Sequence, residues 1–139
     1  NGPFPEDYDH WLKVLGNPEV RVGKVDSIIL HWIDHTNRLT RSNARYTPQA
    51  FDKCRRMHLL SGPLKGKSAI SIWGAGSTGK PWIRWAQNSG LEVKFVVEVS
   101  PGKIGQRIHG VPVIAPEQLE PANPDSPPML VAVGAAGAR

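Results

Sequence analysis

Apolar and polar positions repeat along the chain with a period that changes from one segment to the next. At Glu6–Leu15 the apolar side chains fall on one face of a helix, and Thr47 followed by Pro48 predicts the capped start of a second helix. Between these helices, residues 20–25 alternate between apolar and polar side chains and residues 27–33 are mostly apolar, so both predict strands. The first half of the chain therefore predicts helix, strand, strand, helix.

The second half has shorter apolar runs that are separated by glycine and proline. Strands are predicted at Ala69–Trp73, Val93–Val99, Gly110–Ile114 and Met129–Val133, with helices at Pro81–Ser89 and Pro116–Leu119. Strands that alternate with helices predict a parallel sheet with right-handed crossovers. We therefore expect an α/β fold with a division near residue 63: a short α+β segment over 1–63 and a small parallel-sheet domain over 64–139. A glycine turn at Gly134 and Gly137 follows the last strand, and we expect this domain to be truncated at its C-terminal end.

The turn after the first strand of this domain carries a glycine motif. Gly74, Gly76 and Gly79 have the spacing G-x-G-x-x-G, with Ser77 and Thr78 between the last two glycines. In a strand–turn–helix unit the first of these glycines allows a tight turn, the second lets backbone approach a diphosphate, and the third lets the helix pack closely on the strand. Free N–H groups at the helix N-terminus would then receive the phosphate. The alternative is a turn that only packs a helix on a sheet.

Two further features bear on this motif. Glu98 ends the next strand 19 residues beyond Gly79, where a carboxylate usually accepts hydrogen bonds from a ribose diol. Gly74, Gly79 and Lys80 also fit G-x-x-x-x-G-K, but Pro81 stands where a P-loop needs the hydroxyl of Ser or Thr for Mg²⁺. The motif therefore predicts a nucleotide site and not an ATPase P-loop.

Composition limits the class of protein only coarsely. The 139 residues include a single cysteine, Cys54, which excludes an intramolecular disulfide framework, and we expect it to be partly buried rather than reactive. The net charge of +5 suits anionic ligands, but the basic residues are spread along the chain and do not indicate nucleic acid. No signal peptide or transmembrane run is visible, so the expected location is the cytoplasm.

Several stretches together resemble a bacterial architecture in which a family-two inverting glycosyltransferase domain precedes a small Rossmann-like domain. The first part resembles the transferase tail through FPEDYDHWLKVL, SIILHWI, RLTR and RYTPQAF. The second resembles the appended module through IWGAGSTGK, KIGQRIHGVPVI and LVAVGAAGAR, and is similar also to the nucleotide-sugar-binding domain of sugar acyltransferases. The resemblance implies that residues 1–63 are the acceptor-side tail and residues 64–139 a Rossmann-like nucleotide-binding domain.

The resemblance also implies site residues. In the transferase family the carboxylate of this ED motif takes a proton from the acceptor hydroxyl, a role that falls here on Asp7, with Glu6 beside it. His35 lies near a position where such transferases often hold a metal, but a lone histidine is more often structural. The basic loop that follows it, with Arg38, Arg41 and Arg45, is expected to be an exposed surface rather than a diphosphate site.

The chain departs from the family in lacking the donor-binding half and a metal-binding Asp-x-Asp pair. We therefore expect no metal site here, a divalent ion only in the full-length parent, and an isolated chain without transferase activity. The predicted function is that of a C-terminal glycosyltransferase fragment whose Rossmann-like module binds a nucleotide or nucleotide-sugar. The alternatives are an NAD(P)-binding oxidoreductase domain and a non-catalytic structural module.

Overall fold

The structure is a computed structural model that describes residues 3–134. The chain divides into two compact units, Asn1–Lys65 and Gly66–Arg139. Each unit is built differently: the first consists of helices joined by long irregular segments, and the second is an α/β unit.

The two helices predicted in the first unit are both present, with two shorter elements between them. Helix α1 spans Glu6–Leu15 and helix α3 spans Pro48–Ser61, while a short helix α2, Leu39–Ser42, and a 3-10 turn, Ala44–Tyr46, lie between them. The Thr47 hydroxyl accepts a hydrogen bond from the Ala50 N–H at 3.3 Å, which confirms the predicted cap of α3. Helices α1 and α3 pack through an edge-to-face pair of aromatic rings, Tyr8 and Phe51, whose centroids are 5.0 Å apart.

The two strands predicted in the first unit are wrong. Residues 20–25 and 27–33 adopt no strand, and their large apolar side chains are exposed, with Ile28 and Ile33 each at 81%. A strand is stable only where a neighbouring strand satisfies its N–H and C=O groups, and the described part of this unit supplies none. The alternation of side chains marks a face that could be buried, but it does not provide the partner.

The second unit contains a five-stranded sheet with the order β3-β4-β2-β1-β5. Its strands are β1 (Ala69–Trp73), β2 (Glu92–Val97), β3 (Arg107–Ile108), β4 (Val111–Ile114) and β5 (Met129–Val131). The pairs β1–β2, β1–β5 and β2–β4 are parallel, and the two-residue β3 pairs antiparallel with β4. The α/β fold with a parallel sheet that the sequence predicts is therefore confirmed.

Helix α4, Gly79–Asn88, connects β1 to β2 and begins two residues before its predicted start. Its Ile83 and Ala86 are fully buried against the sheet, whose own core includes Ile70, Ile72 and Val96. Strand β3, which was not predicted from the sequence, joins β4 through a two-residue turn. Both turn residues, His109 and Gly110, have positive φ angles of 50° and 81°, as a tight hairpin of this kind requires.

The remaining segments of the second unit follow their predictions closely. A 3-10 turn, Pro116–Gln118, stands where a brief helix is predicted, and β5 ends two residues before its predicted limit. Of the second glycine turn, Gly134 is described and Gly137 lies outside the described residues.

Candidate nucleotide-binding site

A cleft of about 550 Å³ opens at the carboxyl ends of β1, β2 and β5 in the second unit. Its walls are the loops that follow these strands: Trp73, Gly74, Gly76, Ser77 and Thr78 after β1, Glu98, Val99 and Lys103 after β2, and Ala132, Val133 and Gly134 after β5. Successive connections from β1 lead to β2 and β4 on one side, whereas β5 returns to the other side of β1. The cleft therefore lies at the point where strand order reverses, which is where open α/β sheets bind ligands.

Two of the three motif glycines are required by the fold itself. Gly74 has φ +117°, and a Cβ there would stand 2.7 Å from the carbonyl oxygen of Ala132, at the end of β5. A Cβ on Gly79 would overlap the carbonyl of Gly74. These glycines let the turn pass close to β5 and let α4 begin directly against the loop, so their presence needs no ligand to explain it.

Gly76 differs from its neighbours. It has no positive φ, and a Cβ there would meet no atom within 4 Å, so the fold does not require glycine at this position. Gly76 also lines the cleft. Among the three motif glycines, it is the one whose missing side chain leaves room for a ligand.

The same loop presents unused hydrogen-bond donors. The N–H groups of Gly76, Ser77 and Thr78 donate to no residue within the described range 3–134, whereas the Lys80 N–H bonds to the Gly76 carbonyl at 3.1 Å. Thr78 occupies the N-cap of α4 without a side-chain capping bond. Free N–H groups at a helix N-terminus, together with the helix dipole, favour an anion such as a phosphate.

Glu98, which is predicted to end the second strand, lies directly after β2, and its carboxylate is engaged by the protein. One oxygen accepts the N–H groups of Val99 at 2.9 Å and Ser100 at 3.2 Å. The other accepts the Ala75 N–H and the Lys103 ammonium, each at 3.1 Å. Four bonds fill the acceptor sites of a carboxylate, so a ribose diol would have to displace one of these donors.

Electrostatics at Glu98 follow from these contacts. Burial disfavours its charged form, but the hydrogen bonds from Lys103 and from the N–H groups of Ser100, Val99 and Ala75 outweigh burial and lower the pKa of Glu98 below its ordinary value. The ionised carboxylate thus ties the loop after β1 to the loop after β2.

Lys103 is a site residue that was not predicted from the sequence. Its ammonium group lines the cleft and the side chain is 41% exposed, so it can also face an anionic ligand. The PGKIG loop directly after the second strand, at the carboxyl edge of the sheet, is the pattern that could have identified it.

The predicted catalytic residues lie in the first unit, at the N-terminus of α1. Glu6 accepts a hydrogen bond from the Tyr46 hydroxyl at 2.6 Å, which lowers the pKa of Glu6 and, with some burial, raises the pKa of Tyr46 to about 12. Asp7 is exposed, and its carboxylate accepts the Tyr8 N–H at 2.8 Å. Both carboxylates are exposed, and Glu6 is the one that a side chain of the same unit, Tyr46, engages.

The basic loop of the first unit is occupied by internal pairs. Arg38 and Arg41 both bind the carboxylate of Asp34, at 3.1 and 2.6 Å, and Arg38 also lies over the Trp32 ring. Arg45 lies 3.8 Å from Glu6. His35 belongs to no cluster of metal-ligating side chains within the described residues.

The comparisons with known proteins bear on the second unit. No curated protein and no solved structure matches the chain. None of the helices in the described part of the chain is long and apolar enough to cross a bilayer. Residues 65–136, slightly more than half of the chain, match the sequence model of the CoA binding domain family, a Rossmann-like nucleotide-binding module. The match spans the whole sheet and every residue of the cleft, and the chain belongs to the CoA binding domain family.

Proposed function

We propose that the second unit binds an adenine nucleotide of the CoA type, with its diphosphate on the glycine turn. The family match over residues 65–136 carries this proposal. The geometry supports it through the free N–H groups of Gly76, Ser77 and Thr78 in a cleft at the reversal of strand order. The diphosphate of CoA is the part that a glycine turn of this kind can bind through backbone alone.

Charge in the cleft also favours an anionic ligand. The Lys103 ammonium lies in the wall formed by the loop after β2, and the chain carries a net charge of +5. Because Lys103 is already paired with Glu98, its attraction for phosphate is reduced, and the backbone donors supply most of the binding. We infer that the module is a binding domain that holds its ligand by the diphosphate. The cytoplasmic location remains a prediction from the sequence.

Calorimetric titration of the purified chain with CoA, ADP, NAD⁺ and a UDP-sugar tests the proposal. We expect CoA and ADP to bind, and Gly76→Val to weaken binding by more than about tenfold, or 1.4 kcal/mol, because the new side chain occupies the phosphate position. Gly102→Val is the matched control, since a Cβ at Gly102 also meets open space but does not line the cleft.

The possible results separate the alternatives. Preference for the UDP-sugar supports the nucleotide-sugar module of the glycosyltransferase architecture, and preference for NAD⁺ supports an oxidoreductase-type domain. If no compound binds at about millimolar concentration, or if Gly76→Val binds as wild type does, the glycine turn is structural and the proposal is wrong.

We propose further that residues 1–63 are the acceptor-side tail of a family-two glycosyltransferase. Besides the resemblance, one observation favours this: Ile28–Ile33 contains five large apolar side chains that are 69–81% exposed. So much apolar surface is stable in water only where another element covers it, as a neighbouring strand of a larger sheet would. The proposal applies to a longer protein that contains this chain.

Mutation of Asp7 in such a longer protein tests its predicted role as catalytic base. Asp7→Asn keeps the shape of the side chain but cannot take a proton, so turnover should fall by roughly 10²-fold or more. Asp26→Asn, at a side chain 90% exposed, is the control for the same chemical change. Activity of Asp7→Asn within about threefold of wild type would remove Asp7 from this role.

A further inference from the structure

Three side chains with metal-ligating atoms meet between α1 and α3 in the first unit. Asp9 comes from α1, and Cys54 and His58 come from successive turns of α3, four residues apart and therefore on one face of that helix. The His58 Nε2 atom lies 2.7 Å from Asp9 Oδ1, and the Cys54 Sγ atom lies 3.9 Å from the same oxygen. All three ligand atoms lie within 4.8 Å of one another.

The surroundings hold these groups in place and leave one side open. Cys54 is completely buried, whereas the side chains of Asp9 and His58 are 20% and 17% exposed. The Lys13 ammonium binds the other Asp9 oxygen, Oδ2, at 2.6 Å, which directs Oδ1 toward the sulfur and the imidazole. Outer contacts of this kind orient ligand side chains in metal sites.

We propose that Asp9, Cys54 and His58 form a binding site for a divalent transition-metal ion of the Zn²⁺ class. A thiolate, an imidazole and a carboxylate are the ligands that Zn²⁺ takes in proteins, and three protein ligands with solvent in the fourth position is a common arrangement. A thiolate and a carboxylate together balance the charge of the ion. Without a metal ion, the same geometry forms an Asp–His hydrogen bond and a weak S–H···O bond from Cys54 to Asp9, and the titration below distinguishes this helix–helix contact from a metal site.

The geometry needs only a small adjustment to accept the ion. Tetrahedral coordination with ordinary zinc–ligand bond lengths places neighbouring ligand atoms about 3.3–3.5 Å apart. The Asp9–His58 pair must separate by a fraction of an ångström, and the Cys54 sulfur must approach Asp9 by a similar amount. The sulfur and the imidazole nitrogen, which lie within 4.8 Å of each other, must reach the same range. Binding displaces the thiol proton of Cys54 into solvent. The Nε2 proton that His58 donates to Asp9 in the metal-free protein must leave this nitrogen, so that His58 binds as the neutral imidazole protonated at Nδ1.

Cobalt titration of the metal-free chain tests the proposal, because Co²⁺ reports both ligand type and geometry. We expect intense visible bands from tetrahedral Co²⁺ and a near-ultraviolet charge-transfer band from the thiolate, with Zn²⁺ displacing the cobalt. Cys54→Ser should abolish the charge-transfer band. His58→Gln and Asp9→Asn should each weaken binding by more than about 100-fold, because even loss of an outer contact costs 10- to 100-fold.

Controls keep the result interpretable. His31→Gln alters an exposed histidine outside the cluster and should leave the titration unchanged. Circular dichroism shows whether each variant folds, and the wild-type spectrum decides even where a variant does not fold. A wild-type spectrum without thiolate charge transfer, or equal affinity in wild type and a folded His58→Gln variant, overturns the proposal.

Discussion

Glu98 shows how much of this fold can depend on one side chain. Its carboxylate accepts backbone N–H groups from the loop after β1 and from its own loop after β2, and it pairs with Lys103. The side chain is only 12% exposed, so water has little access to it and the loss of these hydrogen bonds should lower the stability of the fold. A residue at the position of a ribose contact therefore already serves as an internal support for the turn.

Replacement of Glu98 by glutamine should expose this role as a dependence of stability on pH. The pKa of Glu98 is lowered in the folded protein, so its contribution is present above its ordinary value of 4.5 and is lost as the pH falls through the lower, folded-state pKa. At neutral pH we expect Glu98→Gln to cost about 1.5–3 kcal/mol of unfolding free energy. As the pH falls below 4.5, the difference in unfolding free energy between wild type and Glu98→Gln should shrink.

Urea denaturation at several pH values, followed by circular dichroism, measures this difference. Glu120→Gln, at an exposed carboxylate, is the control and should change the free energy of unfolding by no more than about 0.5 kcal/mol at each pH. A difference between Glu98→Gln and wild type that stays constant from pH 7 to about pH 3 would contradict the interpretation, since it would not follow the charge.

At the scale of elements, the turn from β1 to α4 combines glycines of two kinds. Gly79 is fixed by the fold, because any side chain there would meet the Gly74 carbonyl, whereas Gly76 has open space beside it. The order of the glycines in G-x-G-x-x-G predicts a turn at Gly74, room for a diphosphate at Gly76 and helix packing at Gly79, and the close contacts at Gly74 and Gly79 agree with the first and the last of these. The distinction depends on where β5 places the Ala132 carbonyl and where α4 begins.

The two glycines should respond differently to the same small change. We expect Gly79→Ala to cost at least about 1–3 kcal/mol, because helix and loop must move apart to admit the methyl group. Gly76→Ala should change stability by no more than about 0.5 kcal/mol. Thermal unfolding followed by circular dichroism compares them, and equal stability of the two variants would show that the close approach at Gly79 is not needed.

At the scale of the whole molecule, the second unit could be predicted largely from its sequence because each element carries its own boundaries. Ala69–Trp73 is an apolar run that ends at glycine, and it forms β1 with the predicted limits. The order of the strands could not be read in this way, since nothing in Met129–Val131 says that it pairs with β1 rather than with β4. Lys103 was missed for a different reason: its loop directly follows a predicted strand, but the ion pair with Glu98 that gives it a role is visible only in the structure.

The first unit shows the opposite case. Residues 27–33 have the composition of a buried strand, yet they remain exposed and irregular because no strand within the described residues pairs with them. The cluster of Asp9, Cys54 and His58 also escaped prediction, although the four-residue spacing of Cys54 and His58 on a predicted helix places them on one face. The third ligand comes from a helix some 45 residues away, and only the packing of α1 on α3 brings it near.

The position of β5 has a consequence for how the protein is made. Roughly 60 residues separate the end of β1 from β5. At ordinary rates of translation, 5–20 residues per second, β5 is therefore synthesised about 3–12 s after β1. During that time the edge of β1 that will receive β5 has unpaired backbone groups next to buried isoleucines. Until β5 is added, the nascent chain therefore has an incomplete, aggregation-prone sheet, and its ligand cleft lacks the wall formed by Ala132–Gly134.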